Sequence, residues 1–153
     1  SSGVYFVTVC TKNRKPLLSK IVNVGAGVLD RPQVQLLPYG VVADKQIKQL
    51  NDFYSYLSVE KSVIMPNHIH MLISLSENGR SRTPAPTSTT STIAQFISTF
   101  KRFCNKQYGN NIWQRSYYDH IVRGEQDYQD IWNYIDQNPD KWLEDELYSA
   151  SEI

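Results

Sequence analysis

A chain of 153 residues and 17.6 kDa is the size of one ordinary domain, and it buries roughly two-thirds of the surface that its unfolded form exposes. Apolar residues make up 41% and charged residues 20%, and no run approaches the ~18 consecutive apolar residues of a membrane span, which excludes a helical membrane protein and a wholly disordered chain. The net charge of +1 averages two unlike segments: residues 1–123 hold 15 Lys+Arg against 6 Asp+Glu, or +9, and residues 124–153 hold 1 against 9, or −8.

Val4 to Lys12 is dense in β-branched and aromatic residues and runs into the polar turn Asn13-Arg14-Lys15-Pro16, so it is predicted as a strand. Ile21 to Gly40 is ambiguous: Gly25, Gly27 and Asp30-Arg31-Pro32 mark turns, with room for a short strand from Val34 to Leu37. A short helix is predicted over Val41 to Leu50, a strand over Tyr54 to Met65, and another over Asn67 to Leu75, with Pro66-Asn67 as the break between them. Of residues 76–92, 11 of 17 are Ser, Thr or Pro and none has a large apolar side chain, the composition of a flexible, solvated loop. Ile93, Phe96, Ile97, Phe100 and Cys104 then follow the spacing of a helix with one buried stripe, ending near Gly109. Ile112 to Val122 reads as a strand or extended segment. Tyr128, Ile131, Trp132 and Ile135 give a second amphipathic helix, stopped by Asn138-Pro139 because proline cannot continue the ladder. The element order suggests an α+β domain over residues 1–153, an antiparallel sheet of ferredoxin-like βαββαβ type with helices on one face.

Two of the three histidines lie in Met65-Pro-Asn-His68-Ile-His70. Side chains two apart on a strand share a face, so His68 and His70 point together while Ile69, Met71, Ile73 and Leu75 point into a core. Such a pair is half of a metal site, or simply the solvent side of a half-buried strand. At 100° per residue Tyr134 and Asn138 lie together on one flank of the last helix, one turn apart, where a side chain reaches a groove without entering the core. The plainer readings are a boundary tyrosine and a C-cap before Pro139. His120 has no spacing that ties it to the other two and suits packing or surface roles. Residues 99–123 hold five basic groups, Lys101, Arg102, Lys106, Arg115 and Arg123, against the single Asp119. Interleaved with Trp113, Tyr117 and Tyr118, they suit phosphates and stacked bases, or else a solvated helix face.

These residues carry a family likeness. Met65-Pro-Asn-His-x-His70 resembles the HUH signature (His, bulky hydrophobe, His) of the single-tyrosine transposases of bacterial insertion sequences, and Gly3 to Arg14 resembles their first strand. Ile112 to His120 followed by Asp127 to Pro139 is similar to the branch associated with repetitive extragenic palindromes (REP). The resemblance implies a ferredoxin-like enzyme that cleaves and rejoins single-stranded DNA at a hairpin or palindrome. It implies that His68 and His70 bind a divalent ion, Mg²⁺ or Mn²⁺, with Asn138 as third ligand, and that Tyr134 is the nucleophile forming a 5′-phosphotyrosine link. Tyr128 competes for that role, but its place on the apolar stripe favours burial. The likeness leaves monomer and homodimer open, since in one branch the tyrosine helix serves a partner's site. It also includes a basic arm ahead of the first strand that this chain does not show, which implies incomplete hairpin recognition. Two rivals stand beside it: a domesticated binder of structured single-stranded DNA that does not cleave, and a metalloprotein unrelated to DNA. Cys10 and Cys104 form no disulfide framework or CxxC motif, and Val4 to Val9 lacks the character of a signal peptide, so a cytoplasmic protein is expected.

Overall fold

The structure, a computed structural model, describes residues 3–23, 32–76 and 89–144. Its elements in chain order are β1 (Gly3–Cys10), β2 (Ser19–Asn23), β3 (Pro32–Leu36), α1 (Pro38–Phe53), β4 (Leu57–Ile64), β5 (His68–Leu75), α2 (Thr89–Tyr108), β6 (Tyr118–Ile121) and α3 (Glu125–Gln137), with 3₁₀ turns at Lys12–Arg14 and Pro139–Glu144. β4, β5, β1 and β6 form one antiparallel sheet in that spatial order, which is the ferredoxin-like arrangement once the separate β2–β3 hairpin is set aside.

Strand periodicity divides the sheet into two faces. Tyr5, Val7 and Val9 of β1 and Ile69, Met71, Ile73 and Leu75 of β5 point to one side. There they join Ala43, Ile47 and Leu50 of α1 and Ile93, Phe96, Ile97, Phe100 and Cys104 of α2 in the main core. Leu72, Val4 and Phe6 point to the other side, against Ile131 and Ile135 of α3. Helices therefore cover both faces, not one as the element order suggested. The cause lies in α3: its apolar stripe, after the sixth strand, can be buried only against the face that α1 and α2 leave open.

The predicted strands and helices form with shifted ends. β4 starts at Leu57 rather than Tyr54, and only Tyr118–Ile121 of the 112–122 segment is a strand, preceded by an isolated bridge between Trp113 and Thr11. The ambiguous 21–40 region supplies the β2–β3 hairpin and the start of α1. Pro38 opens the helix, where its fixed φ fits and its missing N–H costs nothing. The Ser/Thr/Pro loop expected over residues 76–92 does not extend to its last residues. Residues 89–92 belong to α2, with Thr92 buried, while 77–88 lie outside the described residues. Among the described residues no helix is long and apolar enough to cross a membrane.

Gly40 shows how tightly the hairpin joins the body. The Leu18 carbonyl accepts from the Leu37 N–H at 2.9 Å, and a Cβ on Gly40 would lie 2.0 Å from that same oxygen. Gly40→Ala is expected to cost about 2–4 kcal/mol in urea unfolding, because the backbone must move and the bond at Leu37 is lost. Gly109→Ala, at a φ of +83° in open space, is expected to cost only about 1 kcal/mol.

Candidate functional site

β5 begins at His68 and alternates, so His68 and His70 project from the face covered by α3, with ring centroids 4.5 Å apart. The two rings are 0% and 4% exposed. They are not the solvent side of a half-buried strand, because α3 and Trp142 of the final 3₁₀ turn cover them; the Trp142 ring centroid is 6.1 Å from that of His68. Burial pushes the His68 imidazole down to about 4, a shift that the neighbouring Asn138 side chain opposes and the Arg14 cation reinforces. Burial, and then the adjacent His68, likewise hold His70 well below the ordinary range. Both rings are therefore neutral at pH 7.

Each ring is held by its Nδ1. Asn67, itself fully buried at the β4–β5 turn, donates its amide Nδ2 to the Arg14 carbonyl at 3.3 Å, which turns its Oδ1 toward His68. That oxygen accepts from His68 Nδ1 at 2.8 Å, which places the proton on Nδ1 and leaves Nε2 on the side of the ring toward Asn138. His70 Nδ1 lies 2.8 Å from the Thr8 hydroxyl, which the β1–β5 register places directly opposite. Neither Thr8 nor Asn67 was singled out in the sequence. A polar residue beside His68 was the available signal for Asn67, whereas Thr8 becomes visible only once register is known.

α3 completes the group. Gly124, at a φ of +97°, turns the chain into the helix, and Asp127 fastens the junction by accepting from the Arg123 N–H and from His120 Nε2, each at 2.9 Å. The Arg123 N–H first, and then His120, hold the Asp127 carboxyl below the usual range. His120 thus has a surface role, as its isolation suggested. From this anchor the helical period brings Tyr134 over His70, with centroids 5.4 Å apart, and edge-on to Phe6 at 6.0 Å. Tyr134 is 46% exposed, whereas Asn138, one turn on, is 3% exposed and lies beside His68. Tyr128 stays away from the histidines, half-buried and stacked on Trp132, its phenol pushed up by burial and by the nearby Glu60. Tyr134, His68, His70 and Asn138 therefore converge within a single chain.

Nε2 of His70 and Oδ1 of Asn138 are buried with no hydrogen bond of regular geometry, and Nε2 of His68 is buried alongside. A buried polar atom without a regular hydrogen bond costs about 1–3 kcal/mol, so His70 Nε2 and Asn138 Oδ1 suit a ligand that takes their lone pairs. Two imidazole nitrogens and an amide oxygen, all neutral, fit a divalent cation that keeps open positions. Among the described residues no group of three His, Cys, Asp or Glu could form a closed structural site instead.

The five basic residues do not form one surface. Lys101 is spent on the fold, its ammonium donating to the Gln114 and Ser116 carbonyls at 2.8 and 3.0 Å, and burial lowers its pKa. Arg102 and Arg115 line a groove of about 640 Å³ between α2 and residues 111–117, and α2 packs on the opposite face of the sheet from the histidines. Lys106 is exposed in the last turn of α2, and Arg123 is exposed just before α3.

The buried histidines fix an acid response. Their folded pKa lies below the unfolded value of about 6.5, so the unfolded chain binds more protons between these values and stability falls as pH drops through that window. From His68 alone, the loss between pH 6.5 and 4 is expected to be about 3 kcal/mol in urea titrations of metal-free protein. His68→Gln is expected to flatten that slope.

Comparison with known proteins accords with this geometry. A family model described as IS200-like transposase matches residues 1–138. A Haemophilus influenzae Rd protein of uncharacterised function is 31% identical over 163 residues, covering 97% of this chain and 86% of its own. Another from the same strain, provisionally named a REP-associated tyrosine transposase, is 28% identical over 116 residues, 73% of this chain and 65% of its own. The solved structure of a REP-associated tyrosine transposase bound to a REP hairpin shares the fold, with a TM-score of 0.64 at 22% identity over 92% of this chain and 68% of that one. With nine-tenths of its length matched by the family model and a buried histidine pair beneath a tyrosine helix, the chain belongs to the IS200-like transposases.

Proposed function

We propose that this transposase cleaves and rejoins single-stranded DNA at a hairpin through a covalent 5′-phosphotyrosine on Tyr134, with His68, His70 and Asn138 holding Mg²⁺ or Mn²⁺. The observation that carries this reading is the half-exposed Tyr134 ring seated 5.4 Å from His70, on the face of the sheet where the buried side chains of His68, His70 and Asn138 meet. The hairpin is suggested by the REP hairpin bound to the structural relative.

The chemistry follows from the residues. A phenol has a pKa of about 10 and is a weak nucleophile at pH 7, and a phosphodiester repels anionic attackers. A divalent ion, when bound, offsets the phosphate charge and polarises the P–O bond. The neutral imidazoles and amide leave that positive charge uncancelled, so the site favours an anionic substrate. Phe6 and His70 confine the Tyr134 ring at the rim, which limits the orientations of its oxygen and supplies part of the advantage of an intramolecular attack. The Tyr134 oxygen forms a bond to phosphorus as the bond to the 3′ oxygen breaks. The phenol proton passes to solvent and the leaving oxygen takes one up, giving a 3′-hydroxyl. The phosphotyrosine conserves the bond energy, so rejoining to a 3′-hydroxyl needs no nucleotide cofactor.

Incubation with a 3′-labelled hairpin oligonucleotide and Mn²⁺ tests this on a denaturing gel. Wild type is expected to yield a labelled covalent adduct that chelation with EDTA abolishes. Tyr134→Phe is expected to bind DNA and yield none, and His70→Ala to lower the rate by at least 100-fold. An undiminished adduct in Tyr134→Phe would overturn the assignment, and binding by wild type with no adduct would favour the non-cleaving binder.

A further inference from the structure

The turn after β1 carries Lys12, Arg14 and Lys15 and no acidic residue. It holds an unfavourable backbone: Asn13 at a φ of +54° and Arg14 at +52° are the only non-glycine residues with positive φ among those described. Asparagine tolerates the left-handed region, whereas arginine has no local hydrogen bond to compensate for it. The turn persists because it is tied at several points. Thr11 Oγ1 donates to the Lys15 carbonyl at 2.8 Å, the Arg14 N–H donates to the Thr11 carbonyl at 3.1 Å, and Asn67 Nδ2 donates to the Arg14 carbonyl at 3.3 Å. The last tie is the informative one, since the same Asn67 amide positions His68. Arg14 is thus one side chain removed from the histidine pair. Among the described residues no carboxylate pairs with it. The strained turn thus holds a partly exposed cation beside neutral, buried donors, an arrangement that suits an anion.

We propose that Arg14, presented by the Lys12–Lys15 turn, binds a backbone phosphate of the DNA strand at the His68–His70–Asn138 site. This rests on the reading of that site as a DNA-cleaving centre. The guanidinium offers two parallel N–H donors that match phosphate oxygens, while Lys12 and Lys15, both exposed, add diffuse attraction.

Arg14→Gly separates this role from a structural one, because it removes the charge and also the left-handed penalty. It is expected to melt at or above the wild-type temperature, to bind a fluorescent single-stranded hairpin oligonucleotide about 5–10-fold more weakly, and to reduce the slope of log affinity against log salt by about 0.7, one phosphate contact. Adduct formation is expected to slow at least tenfold. Arg14→Lys is expected to keep the salt slope and still slow the adduct, and Asn13→Gly to raise stability without changing the slope. If wild type forms the adduct and Arg14→Gly binds and cleaves like it, the phosphate site is wrong and the nuclease reading stands. If wild type forms no adduct but Arg14→Gly still loses the salt slope, the nuclease reading is wrong and the phosphate site stands.

Discussion

Burial of β5 on both faces is the constraint on which the rest depends. A strand in the middle of a two-layer fold ordinarily exposes one set of side chains; here α1 and α2 seal one face while α3 and Trp142 seal the first residues of the other. The histidines on that second face lose their water, which keeps them neutral, and His70 Nε2 finds no regular hydrogen bond in the protein. Leu72, next but one to His70, takes the packing that the imidazoles do not, so α3 gains its apolar contact just beyond the polar pocket. The position of Tyr134 follows from this arrangement, since Ile131 and Ile135 can pack on Leu72 only if the intervening flank overlies His70.

The division of charge follows the same architecture. α3 is rich in Asp and Glu, yet its sheet-facing flank carries Tyr134 and Asn138, and two of its carboxylates serve to fasten the helix. Asp127 holds its start to the end of β6, and Asp136 meets Lys61 of β4 at 3.2 Å, with the same ammonium 4.3 Å above the Trp132 ring. Exposed pairs of this kind contribute little each. Together they fix the rotation of the helix about its axis, and rotation decides whether Tyr134 faces the histidines. The acidic tail of the charge distribution is thus partly spent on orienting Tyr134, and the near-neutral total charge describes neither surface.

Periodicity made much of this legible beforehand. Alternation placed His68 and His70 on one side, and the helical repeat placed Tyr134 and Asn138 on one flank, because both inferences need only local geometry. What sequence could not supply were the relations set by tertiary pairing. The β1–β5 register brings Thr8 to His70, the β4–β5 turn points Asn67 at His68 and at Arg14, and a packed helix rather than solvent covers the histidines. Gly40 and Pro38 also take their meaning from tertiary structure: the close approach of Leu18 requires the first, and the start of α1 accepts the second. Lys101 showed the same limit, since a basic residue beside aromatics looks like a phosphate contact until its ammonium is found on two backbone carbonyls.

The contrast between a half-exposed Tyr134 and fully buried histidines has a functional logic of its own. In the proposed reaction Tyr134 forms a covalent bond to a polymer too large to enter the fold, a role that requires it to stand at the rim. The donors beneath it gain from the reverse condition, because exclusion of water lowers the dielectric and makes any charge brought there act more strongly on the phosphate. Neutral donors suit this, since a buried carboxylate would cancel that charge and would itself need a partner. A site assembled only from imidazole and amide takes its electrostatics from what binds it. On the proposed reading its affinity for an anionic strand arises when ion and strand assemble on it, while the protein alone carries the cost as a strained turn and a stability that falls in acid.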